Sequence, residues 1–216
     1  MPPPDQVGRL RPQDRTEAAA VLAAALGEDP GFSHIFRDPA RRQRELRAVY
    51  RLTLADALRY GHVLVTSHDG EITGVLVLYG PGAYPMAWWR WVRQAHRVLR
   101  IAVIAREHSP GIIRFGALTS KGVPRDAWYV EAFGVRPDRQ REGRGSVLMR
   151  AFGELADGRR EPSYLETTKP DNVGYYLARG YDEIGEHVPI SSQGPWIYPM
   201  TRPAADEHGT AGTAAG

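Results

Sequence analysis

Apolar positions recur along this chain in two rhythms. Residues 18–26 and 39–61 repeat apolar side chains every three to four positions, the period of a helix with one buried face, whereas residues 62–67 and 71–79 are β-branched runs that read as strands. Asp14-Arg15-Thr16-Glu17 has capping-box form ahead of the first helix, which ends near Gly27. Asp38-Pro39 sets an N-cap before a proline at the first position of the second, longer helix. Asp69-Gly70 is a two-residue hairpin signal, residues 7–10 form a short strand candidate, and Glu28-Asp29-Pro30-Gly31 breaks the helical period to leave a loop suited to a pocket wall.

After the Gly/Pro-rich stretch 80–85, residues 86–107 return to helical spacing, and residues 109–124 hold a short helix between loops. Trp88, Trp89 and Trp91 in this insert read as core packing with a solvated arginine face, the alternative being a helix laid on a membrane or a nucleic acid. Downstream come a strand at 127–135, the loop Gln140-Arg141-Glu142-Gly143-Arg144-Gly145, a helix at 146–155, a strand at 164–168, a helix capped by Asn172, and two closing strands at 181–188 and 196–200. Strict alternation would put Tyr129, Glu131, Phe133 and Val135 on one face. The sheet is then mixed. Residues 204–216 lack periodicity and read as a disordered tail, leaving residues 1–203 as a single domain.

Composition narrows the classes. At 216 residues and 42% hydrophobic, the chain can bury one core and is short for two. Cysteine is absent, which excludes disulfides, thiolate zinc sites and a cysteine nucleophile, and the seven histidines lack metal-ligand spacing. Lys+Arg 28 against Asp+Glu 25 is close to balance, so the basic pI of 9.3 does not by itself call for a nucleic acid. The longest aliphatic run, 98–105, is far too short for a bilayer and no export signal is visible, which makes the cytoplasm the default expectation.

The chemistry gathers at the loop 140–145. Two glycines let the backbone approach a ligand, and the helix that follows aims its unpaired N–H groups and positive dipole end into the loop, which makes a phosphate cradle. Arg141 and Arg144 are placed to add charge-assisted contacts, with Glu142 turned to solvent. Together with Val135-Arg136-Pro137-Asp138 before it and Asn172-x-x-x-Tyr176-x-x-x-Gly180-Tyr181 after it, this order resembles the acetyl-CoA-binding core of the GNAT N-acetyltransferases. The span from Trp128 to Pro203 is most similar to the branch containing puromycin N-acetyltransferase, through Trp128…Gly134-Val135-x-Pro137-Asp138, Leu165-Glu166-Thr167 and Trp196…Met200-Thr201-Arg202-Pro203.

The resemblance implies an α/β GNAT acyl-CoA N-acyltransferase fold, with a mixed central sheet flanked by helices. It implies acetyl transfer from acetyl-CoA, as co-substrate and without metal, to the primary amine of a small molecule. Val135, Gln140, Arg141, Gly143, Arg144, Gly145, Ser146 and Asn172 would hold acetyl-CoA, Tyr176 would protonate the leaving thiolate, and a backbone N–H near Gly134 or Val135, at a bulge Gly134 permits, would meet the oxyanion. Glu131, a carboxylate midway along a central strand, is either the base or one half of an ion pair with an arginine. Glu28, Asp29, His34 and Tyr84 fall on the acceptor side. Neither nucleic acid nor membrane is expected as a partner, and a homodimer stays open. Three rival readings remain: a CoA-binding regulatory module without turnover, an acetyltransferase acting on a peptide or protein N-terminus, and an arginine-rich nucleic-acid binder. Neither the acceptor amine nor the purpose of residues 86–124 is legible in the sequence.

Overall fold

The β-branched runs and the hairpin signal between them build the centre of the molecule. In a computed structural model that describes residues 6–205, β2 (His62–His68) and β3 (Glu71–Tyr79) pair through a turn in which Asp69 and Gly70 both take left-handed backbone, φ 51° and 83°. β1 (Val7–Arg9), β4 (Trp128–Val135), β5 (Ser163–Thr167), β6 (Asp182–Glu183), β7 (Val188–Pro189) and β8 (Trp196–Arg202) complete the sheet. Its order is β1-β2-β3-β4-β5-β8-β6, with β7 on β8; β4 and β5 are parallel and every other pair is antiparallel.

Helices cover both faces. α1 (Arg15–Leu26), α2 (Pro30–Ile35) and α3 (Pro39–Tyr60) lie on one, joined by the insert helices α4 (Trp88–Arg93), α5 (Ala95–Ala105) and α6 (Ser109–Gly122). α7 (Arg144–Arg159) and α8 (Asp171–Leu177) lie on the other. β3 is buried on both sides, Val75, Val77 and Tyr79 entering the first core and Leu76 and Leu78 the second, which is why it reads as a continuous apolar run. Among the described residues no helix is long and apolar enough to cross a membrane.

Several local expectations change. The Asp14 side chain makes no cap bond and instead takes one from Arg11 Nε (2.6 Å), while the Glu17 carboxylate accepts the Ile72 N–H (2.6 Å), so the capping box is spent on tying α1 to the sheet. The Asp38 cap does form, accepting from Ala40 N–H at 2.9 Å. The loop 28–31 leads straight into α2, capped by Asp29, whose Oδ1 accepts from Gly31 N–H at 2.9 Å. Residues 181–188 do not make one strand: only Asp182–Glu183 and Val188–Pro189 pair, on β8. Of the expected tail, residues 206–216 lie outside the described residues.

The insert inverts the sequence reading of its polarity. Trp88 is 76% exposed and Trp89 and Trp91 are 41% and 46% exposed, whereas Arg90 is buried at 5%. Its Nε donates to Asp56 Oδ1 on α3 (3.0 Å), its Nη2 pairs with Asp56 Oδ2, and its Nη1 donates to the Ala83 carbonyl (2.6 Å). Tyr79 Oη adds a donor to Asp56 Oδ2 (2.8 Å), and the guanidinium lies over the Tyr60 ring, 4.6 Å from its centroid. One buried ion pair therefore clamps the start of the insert to the helix and strand beneath it.

Removing one partner of such a pair strands the other charge, so Arg90→Ala is expected to cost about 3–5 kcal/mol in urea denaturation. The double variant Arg90→Met/Asp56→Ala should be less destabilised than Arg90→Ala alone. Equal losses from the single and double variants would show that packing rather than charge holds the insert.

Candidate functional site

β4 and β5 run side by side only briefly. Trp128, Tyr129 and Val130 pair with Ser163, Tyr164 and Leu165; beyond that point the strands separate, although β4 continues to Val135 and β5 to Thr167. Alternate backbone N–H and C=O groups of residues 131–135 therefore face a gap. Each strand leads through a loop into a helix, α7 after β4 and α8 after β5; the first turn of α7 packs against Phe133 of β4 and lies next to Tyr175 of α8.

The opening in the sheet is joined to a cavity of about 660 Å³. Of the residues read from the sequence, it brings together Glu131, Asn172, Tyr176, Asp29 and Tyr84. Glu28, His34, Val135 and the loop residues Gln140, Arg141, Gly143, Arg144, Gly145 and Ser146 do not line it; the Glu28 carboxylate pairs with Arg42 Nη1 at 3.0 Å.

Glu131 reaches the cavity because β4 carries an extra residue there. Val77 pairs with Ala132 and Leu78 with Val130, so Glu131 has no partner on β3. The bulge is at Glu131, not at Gly134, which pairs regularly with Val75. It also breaks the expected alternation: Tyr129 and Ala132 belong to the α1/α3 core, whereas Val130 and Phe133 pack toward α7. Gly134 has a different constraint, since a Cβ there would come within 2.7 Å of Ala25 Cβ on α1.

Among the described residues no arginine lines this cavity, so the ion-pair reading of Glu131 finds no partner there. Thr53 Oγ1 donates to its Oε1 (3.3 Å), and Oε2 is buried with no hydrogen-bond partner. Burial, reinforced by the nearby Asp56 charge, raises its pKa from 4.5 to about 7. A second carboxylate, missed in the sequence, stands on β5. Burial pushes Glu166 up to about 8, against hydrogen bonds donated by Tyr164 Oη (2.9 Å) and Tyr129 Oη (3.1 Å), with the Glu131 charge adding to the rise. Burial also raises Asp29, whose Oδ1 accepts from Thr168 Oγ1 at the end of β5. The signal for Glu166 was present, a lone acid inside the short strand pattern Tyr164-Leu165-Glu166-Thr167, but an isolated strand gives no clue to its partner strand.

The Tyr176 phenol lines the cavity, its ring edge-on to Tyr175 and Tyr181, and burial holds its pKa above the ordinary tyrosine value, so it stays protonated. Asn172 also lines the cavity but does not cap α8, which starts one residue earlier with Pro170 at its N-cap.

At the loop, α7 begins at Arg144, two residues before the apolar pattern suggested. Gly143 takes φ 85°, a left-handed turn that a side chain would strain, and a Cβ there would meet nothing within 4 Å. The helical ladder opens with Val147 N–H donating to the Gly143 carbonyl (3.1 Å), so the N–H groups of Arg144, Gly145 and Ser146 point out of the helix end. Gly145 serves packing instead: a Cβ would lie 2.9 Å from Phe133 Cζ. Gln140 Nε2 closes the loop by donating to the Val135 carbonyl (3.1 Å).

Arg141 is exposed at the rim, but Arg144 does not reach out to a phosphate. It is buried, with Nε donating to Glu142 (3.0 Å) and Nη1 to Thr73 Oγ1 (3.2 Å). Glu142, although largely exposed, is thus engaged rather than turned wholly to solvent. The cation beside the helix end that sequence reasoning missed is Arg179, which donates to Ser146 Oγ (2.7 Å) and lies 3.4 Å over the Tyr175 ring. Among the described residues no cluster of His, Asp or Glu could hold a metal ion.

The Glu131 shift has a sign that can be tested. Its folded pKa of about 7 lies above the ordinary 4.5, so the native chain holds a proton that the unfolded chain has released between those values, and stability falls as pH rises through that window. Glu131→Gln should raise Tm by roughly 3–8 °C at pH 8 and by almost nothing at pH 5. A lowered Tm at pH 8 would mean that the carboxylate has a cationic partner after all.

A family model described as the Acetyltransferase (GNAT) family matches residues 30–181. The chain is similar to a histone acetyltransferase HPA2 and related acetyltransferase from Corynebacterium glutamicum, with 22% identity and a TM-score of 0.70 over 93% of this chain and 97% of that one. It is also similar to arylalkylamine N-acetyltransferase 2 from Aedes aegypti, with 12% identity and a TM-score of 0.61 over 93% and 99%. A GCN5-related N-acetyltransferase from Rhodopseudomonas palustris matches at 15% identity, TM-score 0.56, over 92% and 95%. At these identities the solved structures show a shared fold.

Proposed function

The chain belongs to the GNAT acetyltransferase family, and we propose that it moves an acetyl group from acetyl-CoA to the primary amine of a small molecule by direct attack, with both substrates bound at once. The observation that carries this reading is a buried carboxylate, Glu131, whose Oε2 has no hydrogen-bond partner and which faces the cavity from β4, the strand that leads through the left-handed Gly143 turn into the N-terminal end of α7.

The residues present fit the co-substrate. The N–H groups of Arg144, Gly145 and Ser146, with the open side of Gly143, suit a pyrophosphate, and Arg141 and Arg179 can add charge. The edge of residues 131–134, which β5 leaves unpaired, suits an extended amide-bearing arm by strand-like hydrogen bonding, and Asn172 lines the adjoining cavity. When bound, acetyl-CoA supplies an activated acetyl thioester and a thiolate leaving group.

Glu131 then acts as the base. With a pKa of about 7 it is partly ionised at neutral pH, and its Oε2 is available to take the ammonium proton directly or through one water. Glu166 is the weaker candidate, because two phenols already donate to it. A strand N–H of residues 131–135 can meet the developing oxyanion, and Tyr176, held protonated, can donate to the departing sulfur. The branch-level likeness to puromycin N-acetyltransferase belongs to this proposal and makes puromycin one of the first acceptors to try.

CoA release with a panel of amines is the direct test; acetyl-CoA binding without turnover on any amine would favour the regulatory-module reading. For an acceptor that turns over, kcat/KM should rise with pH through about 7 as Glu131 loses its proton. Glu131→Gln should lower kcat/KM by about 100-fold and remove that limb; retention of both would reassign the base, with Glu166 next in line.

Tyr176→Phe removes a contact made late in the reaction, so kcat should drop about 10- to 1,000-fold with acetyl-CoA affinity unchanged. Wild-type turnover by Tyr176→Phe where chemistry limits the rate would show that water supplies the proton.

A further inference from the structure

The acceptor end of the cavity is roofed by the insert. α5 and α6 contribute Ile101, Ile112 and Phe115, and these meet Phe32, Phe36 and Val49 from α2, the residue after it, and α3. The Phe32 ring lies 5.5 Å from Phe115 and 6.1 Å, edge-on, from Tyr50 by ring centroids, so the wall is a ready aromatic cluster.

The charges of this lining are one-sided. Asp29, Glu131 and Glu166 all face the cavity, but among the described residues no arginine, lysine or histidine lines it, in a chain with 28 Lys+Arg. The polar groups at the roofed end are hydroxyls, those of Thr119, Ser120, Ser109 and Tyr84, with Tyr84 Oη and Ser120 Oγ 3.2 Å apart.

Resting on the acetyl-transfer reading, we infer that the acceptor is a primary amine carrying an aromatic or bulky apolar body with no second charged group. A carboxylate or phosphate on the acceptor would be desolvated beside buried acids without a cation to meet it. A second ammonium at the far end would lie among Ile112, Phe115 and Phe32, where the nearest acid, Asp29, is already held by the Gly31 and Phe32 N–H groups and by Thr168 Oγ1. A neutral ring, in contrast, extends the Phe32–Phe115 cluster while its ammonium is drawn toward Glu131. The volume, about 660 Å³, lies inside the range of roughly 300–1,000 Å³ that accommodates such molecules.

The test compares three amines with the wild-type protein: 2-phenylethylamine, L-phenylalanine, which adds a carboxylate to the same body, and 1,4-diaminobutane, which replaces the ring by a second amine. Turnover is read as CoA release, and binding as the Tm shift each amine adds in the presence of saturating CoA. 2-Phenylethylamine should exceed both others in kcat/KM by about 100-fold or more, and should be the one that raises Tm. In Phe115→Ala, its KM should increase about 10-fold with the KM for acetyl-CoA within twofold of wild type. Comparable use of L-phenylalanine or 1,4-diaminobutane would overturn the inference, as would no binding of 2-phenylethylamine to the CoA complex. Binding of 2-phenylethylamine with that selectivity but without turnover would uphold the pocket assignment and sink the acetyl-transfer reading instead.

Discussion

The separation of β4 from β5 after three paired residues is the constraint on which the rest of the molecule depends. A parallel pair that stays zipped would bury its backbone groups in the ladder and leave neither a slot nor a depression between the helix layers. Once the strands diverge, unpaired N–H and C=O groups line the gap, and the two helices that follow the strands start on either side of it. The first turn of α7 thus meets α8, Gly145 lying next to Tyr175 and Ser146 accepting from Arg179, while Asn172 and Tyr176 of α8 turn to the cavity. The same divergence leaves the middle of β4 uncovered on the α3 side, where the insert helices close over it and make the second half of the cavity.

Within that enclosure the acids are kept uneasy. Glu131, Glu166 and Asp29 are raised first of all by burial, with no arginine to relieve them. The contrast with Asp56 is instructive, since a fourth buried acid a short way along α3 from Thr53 is matched by Arg90 and by the Tyr79 phenol. In one case the buried charge is paired and structural; in the other the carboxylate is left underpaired, as the proposed base would need to be. The fold places the stiff pair at the base of the insert and the labile groups beneath its roof.

The proposed donor half of the site was readable because it is nearly contiguous: the signals of strand end, loop and helix fall together within residues 135–146, and those of helix and turn within residues 172–181. The acceptor half depends on contacts between distant segments. Nothing near Phe115 announces Phe32, and Glu166 becomes meaningful only once its strand is known to flank the one bearing Glu131. Arg90 and the tryptophans show how pattern alone misleads. Helical spacing placed the tryptophans inside, but the energetic demand of Asp56 drew the arginine in and left the rings outside. The Glu17 carboxylate was read as a local cap and was instead captured by a β3 N–H, and Arg144, read as a phosphate contact, was claimed by Glu142 and Thr73.

The bulge at Glu131 makes chain length, and not only residue identity, a determinant of what this scaffold can do. Deleting Val130 would bring Glu131 opposite Leu78 and turn its carboxylate into the core beneath α7, with the residue itself unchanged. A single in-frame codon lost from this strand would therefore remove the acid from the cavity in one step, and a codon gained in a relative without the bulge could deliver one. Among related chains, aligning letters across this strand without allowing for that one-residue slip would equate positions that face opposite sides of the sheet.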